Sequence, residues 1–178
     1  MAPPSRRRFL TVLAGAAFSL AAGPAQAAEE AQTRALRFSH LHTGEALTVE
    51  YFQAGHYQSD ALEAVNHLLR DFRTGDVHAI DPALLDALYA VRGQVASRQA
   101  FDVISGYRSP HTNAALRRKS EGVAARSLHM TGKAIDIRLR DVPLTTLRRA
   151  GLAVGAGGVG YYPASNFVHL DTGRVRTW

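Results

Sequence analysis

The spacing of hydrophobic positions changes several times along the chain after residue 35, and each change predicts an element. Residues 35–41 and 46–52 are short runs on either side of Thr43-Gly44-Glu45, which predicts a β-hairpin. Leu62, Val65, Leu69 and Phe72 then recur at three- and four-residue steps. That spacing predicts a helix capped by Ser59 or Asp60 and running to about Arg73, with Gly75 ending it. Asp81-Pro82 is a cap followed by proline at the first helical position. It opens a second helix whose inner face offers Leu84, Leu85, Leu88, Val91 and Val95. Residues 101–105 read as a strand, and Ser109-Pro110 starts a helix to about Lys119. A loop is expected over 121–128. Residues 134–139 alternate, with Ile135, Ile137 and Leu139 on one face and Asp136 and Arg138 on the other. A short helix over 143–152 precedes a hairpin of 159–162 with 167–171. Helices come mostly first and strands mostly last. The expected class is therefore α+β, an antiparallel sheet with helices packed on it.

The first 27 residues follow a different pattern. Arg6, Arg7 and Arg8 precede an apolar run from Phe9 to Ala22, and Ala25-Gln26-Ala27 follows. A charged start, an apolar stretch and a small-x-small site make a cleavable export signal. The run is too short and too rich in Ala and Gly for a membrane-spanning helix, which takes about 20 strongly apolar residues. Ser5-Arg6-Arg7-Arg8-Phe9-Leu10 fits the twin-arginine export consensus. An ordinary secretory signal with an incidental arginine pair is the plainer alternative. The expected organisation is a signal over 1–27 and one domain over 28–178, acting in the periplasm as a monomer.

That division changes what the charge means. The chain of 178 residues has a formal charge of +6, and its first 27 residues hold three arginines and no acid, which leaves +3 on the mature domain. No later basic run is interleaved with aromatics, so nucleic acid is not an expected partner. A mildly basic exported domain still suits an anionic polymer such as the cell wall. There is no cysteine, which excludes disulfides, thiolate metal ligands and thiol nucleophiles.

The candidate chemistry lies in the last third. Asp136 sits in Ile135-Asp136-Ile137 on a predicted strand. A carboxylate there is costly to bury unless it meets a cation or donors. His129 lies seven residues earlier, before a Thr131-Gly132 turn. In Phe167-Val168-His169-Leu170-Asp171, His169 and Asp171 share the face opposite Val168 and Leu170. If the two strands are neighbours, His169 and Asp136 share a face. Two imidazoles and a carboxylate suit a catalytic zinc site, with a fourth position left for water. The plainer reading is that a chain with eight histidines makes accidental pairs, each imidazole satisfied on its own.

Ser127-Leu128-His129-Met130-Thr131-Gly132-Lys133-Ala134-Ile135-Asp136 resembles the S-x-H-x-x-G-x-A-x-D motif of the M15-type zinc peptidases, whose relatives include D-Ala-D-Ala peptidases, phage endolysins and the hedgehog fold. Ser105-Gly106-Tyr107-Arg108-Ser109 resembles the S-G-Y-R segment that precedes that motif. With Gly157–Pro163 and Phe167–Gly173, the last 75 or so residues are closer still to the murein endopeptidase K-like group. The resemblance implies a hedgehog/D-Ala-D-Ala-peptidase-like fold, Zn2+ as cofactor, and His129, Asp136 and His169 as its ligands. It implies peptidoglycan as partner and cleavage of peptide cross-links by a metal-activated water, including links between two diaminopimelate residues. Arg108 would then face the scissile carbonyl or a substrate carboxylate, where a fixed guanidinium stabilises developing negative charge; a surface ion pair is its plainer role. Ser127 is expected either to bind substrate or to cap a turn.

One position departs from the pattern. Many relatives carry an acid three residues before the last histidine as general base, and here that residue is Asn166. Asp171 is the first substitute, although two residues along a strand put it about 7 Å from His169. Its other reading is an acceptor that orients an imidazole, or a turn cap. His111 and Glu121 are weaker substitutes. Gly155–Gly160 fits G-x-G-x-x-G, but a helix precedes it and a strand follows, so it is read as a flexible lead-in rather than a nucleotide loop. His40 and His42 are read as a solvated strand face in preference to a second metal site. The alternatives to endopeptidase action are a D,D- or L,D-carboxypeptidase and a non-catalytic wall-binding domain stabilised by zinc.

Overall fold

A computed structural model describes residues 33–120 and 122–178. The predicted export signal and Glu121 lie outside the described residues. Among the described residues thirteen elements follow one another, of which the strands are β1 (Arg34–His40), β2 (Ala46–Gln53), β3 (His56–Tyr57), β4 (Phe101–Ser105), β5 (Ala134–Arg138), β6 (Gly158–Tyr162), β7 (Phe167–Asp171) and β8 (Arg176–Thr177). The helices are α1 (Ser59–Leu68), α2 (Pro82–Val95), α3 (Pro110–Lys119) and α4 (Leu144–Val154), with a 3-10 turn at Leu128–Thr131. Among the described residues no helix is long and apolar enough to cross a membrane.

The α+β class is borne out, but the sheet is mixed rather than antiparallel. Its order is β3-β2-β1-β4-β5-β7-β6-β8. β1 runs parallel to β4, and β6 parallel to β8. A parallel neighbour needs a crossover, and here α1 and α2 supply it between β1 and β4. Hydrophobic alternation reports which face a strand buries, not the direction of its neighbour, so the parallel joins were invisible in the pattern.

Helices α1, α2 and α4 pack on one face of the sheet. Leu36 and Phe38 of β1, Ile135 and Ile137 of β5, and Val168 and Leu170 of β7 point into that layer and are buried. They meet Leu84, Leu85 and Leu88 of α2 and Leu147 of α4. Each such side chain contributes about 2 kcal/mol by leaving water. The helix caps follow the sequence at α2 and α3. Asp81 accepts from the Ala83 amide at 3.0 Å, Ser109 accepts from the Thr112 amide at 3.2 Å, and proline follows both.

The first helix differs from expectation. It starts after Gln58 without a side-chain cap and stops at Leu68, not near Arg73. Asp71 competes for the chain beyond it. Its carbonyl accepts from Thr74 and Gly75, and its carboxylate accepts from the amides of Arg73 (3.1 Å) and Ser109 (2.9 Å). A turn that satisfies a buried carboxylate replaces the last turn of helix. Phe72 is thereby freed to stack on His42, with ring centroids 4.2 Å apart. The His40 and His42 pair is therefore only half solvated, because His42 stays exposed where it covers Phe72. β1 ends at His40, which is buried with its ring edge toward Phe72 and its Nδ1 accepting from the amides of His42 and Thr43.

Gly132 closes the 3-10 turn at φ +67°, and its carbonyl accepts from the Asp81 amide at 2.9 Å. A Cβ there would collide with the Ala79 carbonyl oxygen. Gly132→Ala combines a left-handed backbone with that clash and should cost about 2 kcal/mol, lowering Tm by about 4–8 °C. Thermal unfolding followed by circular dichroism checks this.

Candidate metal centre

The sheet face opposite the helices carries the chemistry. Asp136 on β5 is the direct cross-strand partner of His169 on β7. Opposed residues project to the same side, so both side chains leave the face that Ile135, Val168 and Leu170 do not use. His129 reaches them from the 3-10 turn before β5. All three are buried. His169 Nδ1 lies 2.9 Å from Asp136 Oδ1, His129 Nε2 lies 3.3 Å from the same oxygen, and the two ring nitrogens are 3.2 Å apart.

The outer nitrogen of each ring decides what the inner one is. His129 Nδ1 is 2.7 Å from the Gly106 carbonyl oxygen. A carbonyl only accepts, so that nitrogen carries the proton. His169 Nε2 is 3.0 Å from Asp171 Oδ2 and donates in the same way. In the neutral rings the inner nitrogens are then bare lone pairs. Two lone pairs and a carboxylate oxygen converge with no donor among them, an arrangement that is stable only around a proton or a cation. Ligands about 2.05 Å from a tetrahedral zinc stand about 3.3 Å from one another. The triangle of 2.9, 3.2 and 3.3 Å fits that set closely. Among the described residues this is the one His/Asp/Glu group of three with metal-ligand spacing.

With a proton in place of a metal cation the inner nitrogens become donors, and the same preference for positive charge shows in the electrostatics. Burial pushes the Asp136 carboxyl up, but the charges and hydrogen bonds of His129 and His169 outweigh it and hold the carboxyl well below its usual range. Burial lowers His169, yet its bonds to Asp136 and Asp171 win and raise it. Asp171 is likewise held low: burial raises it, and His169, Arg176 and the amides of Gly158 and Gly173 overcome that. Its Oδ1 accepts from Gly158, Gly173 and Arg176, and its Oδ2 from His169 and from Arg176 at 2.7 Å. Both oxygens are occupied, and Asp171 stands behind His169.

In front of the triad is a cavity of about 500 Å3. Arg108 and Ser127 line it. Arg108 NH2 is 3.9 Å from Asp136 Oδ2, its side chain is 12% exposed, and its Nε is buried with no partner. Its Nη1 and Nη2 make only long bonds, 3.5 Å to Asn113 Oδ1 and 3.5 Å to Ser105 Oγ, and burial lowers its pKa. The Ser127 hydroxyl makes no cap bond. Asn166 sits exposed at the tip of the β6–β7 hairpin at φ +54°. His111 lines a separate groove with Arg73 and Leu116, and the neighbours of Glu121, Ser120 and Gly122, line the cavity. Among the described residues Asp136 is the one carboxylate in its wall.

Sequence reasoning missed Arg126, Tyr162, Arg176 and Trp178, which also line the cavity. Tyr162 was within reach of cross-strand reasoning, because it lies two residues from Gly160, the partner of His169. Arg176 and Trp178 arrive through β8, a two-residue strand with no readable period. The lead-in at 155–160 is not a loose segment either, since its last three residues belong to β6.

A sequence model of the family described as peptidoglycan L,D-endopeptidase MepK matches residues 28–178. The chain belongs to the M15-type murein endopeptidase family. A relative from Escherichia coli with the same description is 43% identical over 177 residues, covering 98% of this chain and 97% of its own length. A relative from Shigella flexneri matches to the same extent. A probable peptidoglycan L,D-endopeptidase MepK from Haemophilus influenzae is 46% identical over 146 residues, 82% of this chain and 78% of its own. The hydrolase expected from the sequence is borne out, because this is a family of peptidases that are generally metal-dependent.

Asp71 holds the segment that delivers Arg108 to the cavity. It anchors the Ser109 amide, while Tyr107 N bonds Leu69 O and Arg108 N bonds His129 O. Burial raises the Asp71 carboxyl, but bonds from Thr112, Ser109 and Arg73 outweigh it and depress it below the ordinary 3.8. A depressed carboxyl stabilises the fold above its unfolded value and loses that effect as pH falls through the folded value. Asp71→Asn should therefore cost about 2 kcal/mol at pH 7. In urea titrations the gap to wild type should be constant above about pH 5 and close progressively below the ordinary carboxyl value.

Proposed function

We propose that this chain is a zinc-dependent peptidoglycan endopeptidase that cuts peptide cross-links between stems, with His129, Asp136 and His169 as its zinc ligands. The observation that carries this reading is the donorless triangle of ligand atoms at the floor of an open cavity. Zinc supplies Lewis acidity and a water whose pKa falls to about 7, so attack on an amide becomes feasible at neutral pH.

The chain's own residues supply the rest. His129 and His169 are held in one tautomer by Gly106 O and Asp171, so their inner nitrogens face the ligand site without reorganisation. Arg108, whose Nη1 and Nη2 are held only by long bonds of 3.5 Å to Asn113 and 3.5 Å to Ser105, offers these donors to the scissile carbonyl oxygen as charge develops on it. Ser127 keeps its hydroxyl for substrate. Asp171 has the contacts of an orienting carboxylate. Service as general base would need an oxygen free toward the cavity, and both of its oxygens are engaged. Export by the twin-arginine route to the periplasm, action as a monomer, and a sheet shared with the hedgehog and D-Ala-D-Ala-peptidase folds belong to the same proposal. They rest on the sequence motifs.

Mature chain incubated with zinc and isolated sacculi should release new muropeptides on chromatography. Defined 4-3 and 3-3 cross-linked dimers digested in parallel should identify the bond. Shortened stems without loss of cross-links would make it a carboxypeptidase, and binding to sacculi without any product would make it a non-catalytic wall domain. His169→Ala should lose both zinc and activity. Full zinc stoichiometry in that variant, by elemental analysis, would remove His169 from the ligand set.

A further inference from the structure

The cavity wall contains a hydroxyl whose orientation is decided by a neighbour. Tyr162 ends β6, pairs with Phe167 across the hairpin, and stacks on its ring with centroids 4.5 Å apart. The Trp178 Nε1 lies 2.7 Å from the Tyr162 hydroxyl oxygen. An indole N–H only donates, so the hydroxyl oxygen accepts and its own proton must point elsewhere. Among the described residues nothing accepts that proton. The hydroxyl is thus a preset donor on a wall it shares with Arg108 and the triad.

The backbone makes room for this pair. Gly160 is the cross-strand partner of His169 and lies between it and Tyr162 along the same face. A Cβ at Gly160 would come within 2.7 Å of the Trp178 ring. The indole fills the space that a side chain would take. Its ring centroid is 5.3 Å from that of His169, and backbone bonds join Tyr161 N to Trp178 O and Trp178 N to Val159 O. Tyr162 thus stands diagonally from His169, at a spacing of about 7–8 Å between residue positions, and Trp178 over Gly160 lies against both.

We propose that Tyr162 is a substrate-binding residue whose hydroxyl donates a hydrogen bond to a peptide carbonyl oxygen of the bound stem, with Trp178 as the residue that positions it. This rests on the peptidoglycan reading above. Tyr162→Phe removes the hydroxyl and keeps the stack on Phe167. It should leave Tm and zinc content unchanged and lower kcat/KM on a cross-linked dimer about tenfold, mostly through KM. It should also weaken binding of a monomeric muropeptide, which has no cross-link to cut, about fivefold by calorimetry. Trp178→Phe should cost about threefold in the wild-type background and nothing further in the Tyr162→Phe background, because one removes what the other aims.

Tyr162→Phe within twofold of wild type in both kcat/KM and muropeptide binding would overturn the proposal. Trp178→Phe losses that are equal in the two backgrounds, or absent from both, would overturn the part assigned to Trp178. Muropeptide binding that depends on Tyr162 in a wild type that cleaves nothing would keep this inference and sink the endopeptidase. A wild type that neither binds nor cleaves would overturn both.

Discussion

Three acceptor atoms held about 3 Å apart in a buried place are the constraint on which the rest of the structure depends. His129 Nε2, Asp136 Oδ1 and His169 Nδ1 repel one another unless a positive charge stands among them. Keeping them there takes an outer ring of groups. Gly106 O fixes one imidazole and Asp171 the other. Asp171 is fixed in turn by Arg176 and by the amides of Gly158 and Gly173. Removing any one link leaves a buried polar atom without its partner, which costs more than the bond itself contributes.

The register of β5 against β7 is the mechanical basis of that convergence. Asp136 opposes His169 while Ile135 opposes Leu170 and Ile137 opposes Val168. A slip of one residue would turn the aliphatic side chains into the cavity and the triad into the helix layer. The apolar packing of α2 and α4 on the far face thus holds the ligand geometry on the near face. Core and site are two consequences of one alternation.

The near face is also where the chain spends its positive charge. Arg108, Arg126 and Arg176 line the cavity beside Asp136, the one carboxylate there among the described residues, which the histidines already engage. Arg176 is committed to Asp171 and stacks on Trp178 at 4.8 Å. Arg108 is bonded only weakly, at 3.5 Å to Asn113 and 3.5 Å to Ser105. The formal charge, read as a bulk quantity, says little. Its placement around a cleft gives it a chemical meaning: a pocket suited to the oxygens of a peptide polymer.

Much of this was legible in the chain itself. The caps at Asp81 and Ser109, the alternation through Asp136 and His169, and the S-x-H-x-x-G-x-A-x-D spacing follow from local rules of a few residues. Local rules are written locally, so they survive reading without a fold. The parallel joins of β1 with β4 and β6 with β8 were not legible, nor was the early end of α1 at a turn built around Asp71. These depend on partners far away in sequence: Ser109 for Asp71, Phe101 for Phe38, Gly158 for Arg176. Likewise the sequence by itself determined that Asp136 and His169 each leave their strand on the side opposite its aliphatic residues. Only the tertiary structure decided which nitrogen of each ring faces inward, that both oxygens of Asp171 are engaged behind His169, and that Trp178 aims Tyr162. The reason is physical. Residue type and period determine the direction in which a side chain leaves its strand, whereas a proton's place on a ring or hydroxyl is set by whatever acceptor the fold brings against it.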